Sequence, residues 1–242
     1  MRHYARVVWG GLLLFYAVSG VTLVSAGPLA ITGPKPISSA EAAYRRGLES
    51  LSKGDVRDAG AAFKEAMQLE PKAVQPLLGL ADVALKQQDT QQAEAYLQQA
   101  LNLAPQSVEV QTAWGRYLYQ QQRFTDAEAA FKKAIALDPQ AVTPHVDLGD
   151  LYLGGWRKPQ EAMDAYRAAL KLDPAHAGAH YALGTALAAT NDIEAAQAEL
   201  TEANRLAPNN PLPLQALGQL YTARKEYEKA LEAFSNALKV QP

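Results

Sequence analysis

The chain of 242 residues contains no cysteine. This absence excludes disulfide bonds, thiolate metal sites, cysteine nucleophiles and attachment of a lipid to cysteine within these residues. Aromatic residues are also few, at 8% of the sequence, and alanine dominates the 48% hydrophobic content. Small apolar side chains at this level are typical of closely packed helices. The composition therefore favours an all-α chain without a disulfide framework.

The chain also lacks a basic block. Arg2, Arg6 and Lys35 are the charged residues of 1–40, and from Glu41 onward 20 basic residues face 25 acidic ones. Binding to a nucleic-acid backbone requires clustered Lys and Arg, because the affinity comes largely from phosphate neutralisation. We therefore predict no nucleic-acid partner.

Catalytic and metal-binding motifs are missing as well. The sequence has no nucleophile elbow, no phosphate-binding glycine loop and no zinc-ligand spacing. His176 and His180 stand four residues apart and would share a helix face if both were helical. However, His176 falls in a turn between two repeated units, and His180 takes a packing position. We predict no metal site, no cofactor and no enzymatic activity.

An uncharged run, residues 7–26, comes directly after Arg6. Twenty residues at helical rise span about 30 Å, the thickness of a bilayer core. The charge asymmetry keeps the N-terminus in the cytoplasm and exports the remainder of the chain. Small residues at 24–26 fit signal-peptide cleavage after Ala26, whereas the length of the run favours an uncleaved anchor. Residues 1–26 are thus predicted as a signal peptide or an N-terminal membrane anchor, with a buried globular helix as the third alternative.

Either export alternative places the rest of the chain in the periplasm or another extracytoplasmic space, held at the inner membrane if the run is not cleaved. Residues 27–39 contain three prolines and two glycines and predict an extended linker. The sequence from Ser38 to Glu41 matches a capping box and predicts the first helix start.

From residue 40 onward one pattern recurs every 34 residues, and once after 35. It consists of Ala, an aromatic or Leu four residues later, Ala three beyond that, and Pro after a turn. The pattern begins at Ala59, Ala93, Ala127, Ala162, Ala196 and Ala230. A period of this length is the mark of a stacked array. Six units of two helices each are predicted: 40–73, 74–107, 108–141, 142–176, 177–210 and 211–242.

A small residue occupies the eighth position of every unit. These residues are Gly47, Ala81, Gly115, Gly149, Gly184 and Gly218. Glycine inside a helix costs about 1 kcal/mol relative to alanine, so its recurrence calls for a packing reason. We expect the two helices of a unit to approach closely there, with the aromatic or Leu of the second helix filling the space.

Residues 40–242 resemble the tetratricopeptide repeat family, with LGDLY (148–152) and LGQLY (217–221) matching its first-helix core. The resemblance implies an all-α, right-handed superhelical solenoid of six helix-turn-helix units, here after an N-terminal hydrophobic helix. It also implies a non-catalytic scaffold whose first helices form a concave groove for a protein or peptide partner. The groove positions with the strongest binding chemistry are Tyr44, Asp82, Lys86, Arg116, Tyr119, Asp150, Tyr181, Gln215 and Gln219. Tyr44 and Tyr181 have an alternative role as fillers of the superhelix interior.

Two departures from the family pattern suggest further contacts. The fourth unit, 142–176, has one extra residue, which the sequence places in the inter-helix loop GGWRKP (154–159). Trp156 and Arg157 would then contact a partner, although Trp156 has the alternative of folding back on its own loop.

The second departure is the missing capping helix after the sixth unit. Its apolar stripe, which includes Leu231, Phe234 and Leu238, has no neighbour to stack on. A second copy of the chain, another partner, or a continuation beyond Pro242 would cover it. The resulting alternatives to a peptide-binding scaffold of the cell envelope are a self-associating structural protein and the recognition arm of a larger enzyme.

Overall fold

The computed structural model describes residues 38–240, and all regular secondary structure in this range is helical. The helices are α1 (Ser39–Ser52), α2 (Val56–Leu69), α3 (Gln75–Lys86), α4 (Thr90–Leu103), α5 (Val108–Gln120), α6 (Phe124–Leu137), α7 (Val142–Asp150), α8 (Pro159–Leu172), α9 (Ala177–Ala189), α10 (Ile193–Leu206), α11 (Leu212–Ala223) and α12 (Tyr227–Val240). The predicted signal peptide or anchor and the linker up to residue 37 lie outside the described residues. Across residues 38–240, none of the helices combines the length and the hydrophobicity that a bilayer span requires.

The first helix begins where the sequence predicts it. The Ser38 hydroxyl accepts a hydrogen bond from the Glu41 N–H at 3.1 Å, which satisfies one of the free donors of the first turn. The Glu41 carboxylate accepts from Arg45 on the next turn and does not complete the capping box. A side-chain oxygen caps α4, α5 and α10 in the same way, from Asp89, Ser107 and Asp192.

A left-handed residue sits in the turn between the two helices of every unit. These residues are Gly54, Gln88, Gln122, Arg157, Asn191 and Lys225, with φ between 54° and 82°. Such a residue ends a helix sharply, because it redirects the chain while the last carbonyls still find N–H donors. The six turns therefore share one geometry, including the turn of the fourth unit.

The extra residue of the fourth unit lies in the helix, and the prediction of a lengthened loop is wrong. After α7 the chain forms a π-helical turn over Leu151–Gly155, in which the Trp156 N–H donates to the Leu151 carbonyl at 3.2 Å. Leu151 is fully buried, and Arg157 keeps the turn position shared by all units. The wider π-helical turn accommodates the extra residue, so Leu151 stays buried and Arg157 keeps its position in the turn.

The recurring spacing of small and large residues is explained by the packing inside each unit. A Cβ added to Gly115 would lie 2.5 Å from the Phe131 ring, and one added to Gly218 would lie 2.6 Å from the Phe234 ring. Phe131 is 1% exposed. The glycine is needed because the aromatic ring of the second helix lies directly against the backbone of the first.

Contacts in the array run mainly between neighbours. Each helix packs on the next one in the chain, and first helices also touch first helices in the pairs α1–α3, α5–α7, α7–α9 and α9–α11. The helices α3 and α5 approach each other less closely than these pairs. The space left between them becomes important for the site.

Candidate functional site

The predicted groove residues lie on the first helices of the units. We call the side of α1, α3, α5, α7, α9 and α11 that carries them the first-helix face. Tyr44 is on α1, Asp82 and Lys86 on α3, Arg116 and Tyr119 on α5, Asp150 on α7, Tyr181 on α9, and Gln215 and Gln219 on α11. The predicted residues from α1 to α7 interact electrostatically: Asp82 acts on Tyr44, and Arg116 acts on both Asp82 and Asp150. The predicted residues on α9 and α11 lie further along the array and are uncharged.

Arg116 is the centre of the connected part. Its Nε donates to Asp147 Oδ2 at 2.7 Å, so one ion pair joins the third unit to the fourth. The Asp147 side chain is 11% exposed and that of Arg116 is 53% exposed. The carboxylate is thus embedded, while the guanidinium reaches the first-helix face.

Burial dominates the acid–base behaviour of the two carboxyl groups on α7. It raises the pKa of Asp147 to about 6 against the opposing effect of Arg116. Asp150 is exposed, yet the surrounding protein desolvates its carboxyl group and raises its pKa, even though the Tyr166 hydroxyl donates to this carboxylate at 2.7 Å. Both acids ionise less readily than fully hydrated carboxyl groups, because the surrounding protein solvates the charge poorly.

Asp82 adds a third carboxylate to the first-helix face. It is exposed, yet the surrounding protein still desolvates it and raises its pKa, with Arg116 and Lys86 acting in the opposite direction. Burial raises the pKa of Tyr44, and the nearby Asp82 carboxylate adds to this effect. The residues from α1 to α7 therefore form one electrostatic neighbourhood with more acids than bases.

A cavity of about 480 Å³ opens on this face between α3 and α5 and reaches the start of α7. Its charged residues are Asp82, Glu109, Arg116 and Asp138. The remaining lining is mostly apolar or small: Leu78, Ala81, Leu85, Leu97, Val108, Thr112, Ala113, Tyr117, Gln120, Ala141, Val142, Thr143 and Pro144. An apolar wall with a few charged groups at its edge is the usual form of a binding pocket.

The predicted tyrosines pack into the protein rather than standing free. The Tyr44 ring lies 5.6 Å from that of Phe63, and the Tyr119 ring lies 5.9 Å from that of Phe124. Tyr181 packs against the cluster that includes Leu200. All three are half-buried, so each exposes only part of its surface on the first-helix face.

The predicted loop contacts differ from one another. Trp156 is half-buried and lies 5.8 Å from the Tyr152 ring, with Lys158 Nζ 5.2 Å above its centre. Trp156 has therefore folded back on its own segment. Arg157 is exposed in the adjacent left-handed turn and lies within the same unit as Trp156.

Asp147 and Tyr166 bind two of the predicted groove residues, Arg116 and Asp150, although the sequence pattern did not select them. The signal for Asp147 was its place in the unit, the sixth position, which holds glycine or alanine in the second, third, fifth and sixth units and arginine in the first. A carboxylate at a position that is small in four of the six units indicates a special environment. Tyr166 gave no such signal, because it occupies the aromatic packing position.

The two histidines that stand four residues apart have separate partners. His176 Nδ1 accepts from the Ala179 N–H at 3.0 Å and caps α9. His180 lies between Glu199, 2.6 Å from Nδ1, and the Pro174 carbonyl, 3.0 Å from Nε2. Within residues 38–240, no three side chains of the metal-binding types are placed to share an ion.

Comparison of the sequence with family models gives three matches. A tetratricopeptide repeat model matches residues 50–115 and 157–220. A TPR repeat model matches residues 115–154, and a further tetratricopeptide repeat model matches residues 213–242. Among curated proteins, no sequence is significantly similar to this chain.

Solved structures with the same fold include two proteins of similar length. PilF of Pseudomonas aeruginosa has a TM-score of 0.67 at 19% identity, over 84% of this chain and 92% of its own. PilW, a widely conserved type IV pilus biogenesis factor, has a TM-score of 0.68 at 19% identity, over 80% and 90%. The Cut9 complex with Hcn1, from the APC/C, has a TM-score of 0.72 at 18% identity and covers 84% of this chain but only 40% of that one.

Proposed function

Because this chain belongs to the tetratricopeptide repeat family, we propose that it is a non-catalytic scaffold that binds a segment of another protein on its first-helix face. The observation that carries the proposal is the cavity between α3 and α5, with an apolar wall and four charged residues. Proteins recognise extended or helical segments in preformed grooves of this kind. Arg116 and the nearby tyrosines supply the residue types enriched at binding hot spots.

The test is to fill the cavity from one of its wall positions. Ala113 lines the cavity and is half-buried on α5, so Ala113→Tyr places a ring in the space that a partner would occupy. Ala198→Tyr on α10, at an exposed position, is the matched control. Affinity capture from solubilised envelope, followed by mass spectrometry, should recover partners with the wild-type chain and the control but lose them with Ala113→Tyr. Equal recovery by all three proteins would contradict binding at this face.

We further propose that the scaffold works in the cell envelope. The support is the uncharged run 7–26 behind Arg2 and Arg6, which is typical of an export signal or anchor. PilW, which shares the fold, is a type IV pilus biogenesis factor, and such a pathway is one setting for an envelope scaffold. N-terminal sequencing of the protein purified from its native membrane fraction distinguishes the two forms. A first residue of Gly27 means a cleaved signal peptide, and a longer N-terminus means an anchor.

A second candidate function, self-association, has a specific observation in its favour. On α12 the residues Leu231 and Leu238 are 70% and 73% exposed, and Tyr227 is 64% exposed. An apolar stripe of this kind marks a contact surface, and a second copy of the chain is one occupant. Light scattering over a range of concentrations should detect a dimer that Leu231→Glu with Leu238→Glu abolishes. A wild-type chain that stays monomeric throughout would rule this contact out.

A further inference from the structure

We infer that the cavity between α3 and α5 accepts an apolar side chain next to a lysine or arginine of the partner segment. This inference rests on the proposed function, binding at the first-helix face, and adds the chemical class of the bound segment. It is carried by two properties of the same place, the apolar wall and the sign of the charge around it.

The apolar half of the preference comes from the cavity wall. Leu78 and Leu85 on α3, Leu97 on α4 and Val108 on α5 all line it. Its volume of about 480 Å³ falls near the lower end of the range for small-molecule pockets, about 300 to 1,000 Å³. One or two side chains of a peptide fit such a space. An aliphatic group placed there leaves water and covers wall atoms that are otherwise hydrated.

The charged half comes from the balance of the lining residues. Three acids, Asp82, Glu109 and Asp138, face one base, Arg116. That base is already paired with Asp147 at 2.7 Å, so its positive charge is largely neutralised by a carboxylate outside the cavity wall. Lys86 also acts on Asp82 from outside the cavity wall, but the four acids Asp82, Glu109, Asp138 and Asp147 still outnumber the two bases. The cavity therefore presents a negative potential to an incoming segment.

Asp82 is the group best placed to receive a cation. Within residues 38–240 it has no ion-pair partner within 4 Å, while Lys86 and Arg116 act on it only from a distance. Glu109 already accepts a hydrogen bond from the Ser107 hydroxyl at 2.5 Å. A lysine or arginine at the rim would pair with Asp82 while its neighbouring apolar side chain entered the cavity.

The same charges disfavour acidic segments. A glutamate or aspartate entering between Asp82 and Glu109 would meet two like charges, and Arg116 would have to leave Asp147 to compensate. If Arg116 left Asp147, a carboxylate that is only 11% exposed would lose its ion-pair partner. A buried charge without a partner is costly unless it takes up a proton. Electrostatic complementarity of this kind selects partners chiefly by rejecting the wrong sign.

The experiment is selection from a phage-displayed library of random nonapeptides on the full chain, with Ala113→Tyr and Asp82→Asn selected in parallel. Asp164→Asn on α8, whose side chain is 66% exposed, is the matched charge control. We expect enriched peptides that place an aliphatic residue beside Lys or Arg, and loss of this enrichment with Ala113→Tyr. For the strongest synthetic peptide, Asp82→Asn should weaken binding by about threefold to tenfold, and Asp164→Asn should not.

Three other outcomes have separate meanings. Enriched peptides that depend on Ala113 but are acidic or uncharged overturn the charge assignment and leave the proposed function standing. Basic peptides that bind Asp82→Asn as tightly as wild type overturn the role of this rim. If no enriched peptide is sensitive to Ala113→Tyr, both the inference and binding at this face are wrong.

Discussion

The carboxyl group of Asp147 provides the sharpest test of the site's electrostatics. Burial raises its pKa from the ordinary 3.8 to about 6. Between pH 3.8 and about pH 6, Asp147 keeps its proton in the folded chain but has lost it in the unfolded chain. The free energy of unfolding therefore falls as the pH rises through this window.

The size of the effect is set by the shift. Each pKa unit corresponds to about 1.4 kcal/mol, so a shift of this size makes ionisation of Asp147 cost about 3 kcal/mol of folding stability. The side chain is 11% exposed, and water therefore screens little of this cost. Arg116 already reduces it, because the ion pair at 2.7 Å favours the charged form.

Substitution by asparagine isolates this contribution. Asp147→Asn keeps the shape and an oxygen that accepts the hydrogen bond from Arg116, but it cannot ionise. We expect the variant and the wild type to be about equally stable at pH 3.5. As the pH rises, the wild type loses stability relative to the variant, and the variant should be more stable than the wild type by up to about 3 kcal/mol at pH 7.5. Urea unfolding followed by helical circular dichroism at a series of pH values measures the gap.

Taking the difference between two proteins removes the titration of the other groups on α7 and around it. Asp164→Asn on the exposed side of α8 is the control, and its gap from the wild type should stay within about 0.5 kcal/mol throughout. Parallel stability curves for the wild type and Asp147→Asn from pH 3.5 to 7.5 would refute the argument. They would mean that Asp147 is as well solvated in the folded chain as in the unfolded one.

Two further predictions concern packing and hydrogen bonding, both measured by urea unfolding at one pH. Gly115→Ala places a Cβ 2.5 Å from the Phe131 ring and should cost about 1 to 3 kcal/mol. Adding Phe131→Leu should recover part of that loss, because the second unit already has Ala81 and Leu97 at these two positions. If the stability losses of the two single variants simply add in the double variant, this account of the packing is wrong. Tyr166→Phe removes the hydroxyl that donates to Asp150 and should cost about 1 to 3 kcal/mol, and no loss would show that water replaces this bond.

Much of the fold is predictable from sequence because one packing rule is repeated six times. The small residue at the eighth position and the large one on the second helix meet as expected, as Gly115 and Phe131 show. Periodicity is informative here because a wrong assignment of helix bounds or packing residues in one unit is revealed by comparison with the other five units. The stacked helices and the confirmed family depend on that redundancy.

Features that occur in one unit only are harder to predict, since no repeat corrects them. The extra residue near Trp156 is visible as a period of 35, but its place in a π-helical turn depends on two fixed points. Leu151 must stay buried and Arg157 must keep its turn geometry. The sequence shows that one residue is inserted, but it does not show whether the end of the first helix or the loop after it changes conformation to accommodate that residue.

The sequence pattern selects several residues of the candidate site but omits Asp147 for the same reason. The groove positions implied by the family include Asp82, Arg116 and Asp150, but Asp147 lies at the sixth position of its unit, which is not among them. Its burial depends on how closely α5 and α7 approach, which a pattern of residue types does not specify. The ion pair with Arg116 therefore appears only in three dimensions.

The distribution of charge along the first-helix face indicates where a partner would be discriminated. Asp82, Arg116 and Asp150 lie on α3, α5 and α7, whereas the predicted groove residues of α9 and α11 are uncharged. The cavity also lies at α3 and α5, the neighbouring first helices that approach least closely. Because units in an array interact mainly with their neighbours, a local gap and a local charge cluster are tolerated without altering the stacking elsewhere. Specificity in this chain is therefore expected from the second to fourth units, and changes on α9 or α11 should alter binding less than changes at Asp82.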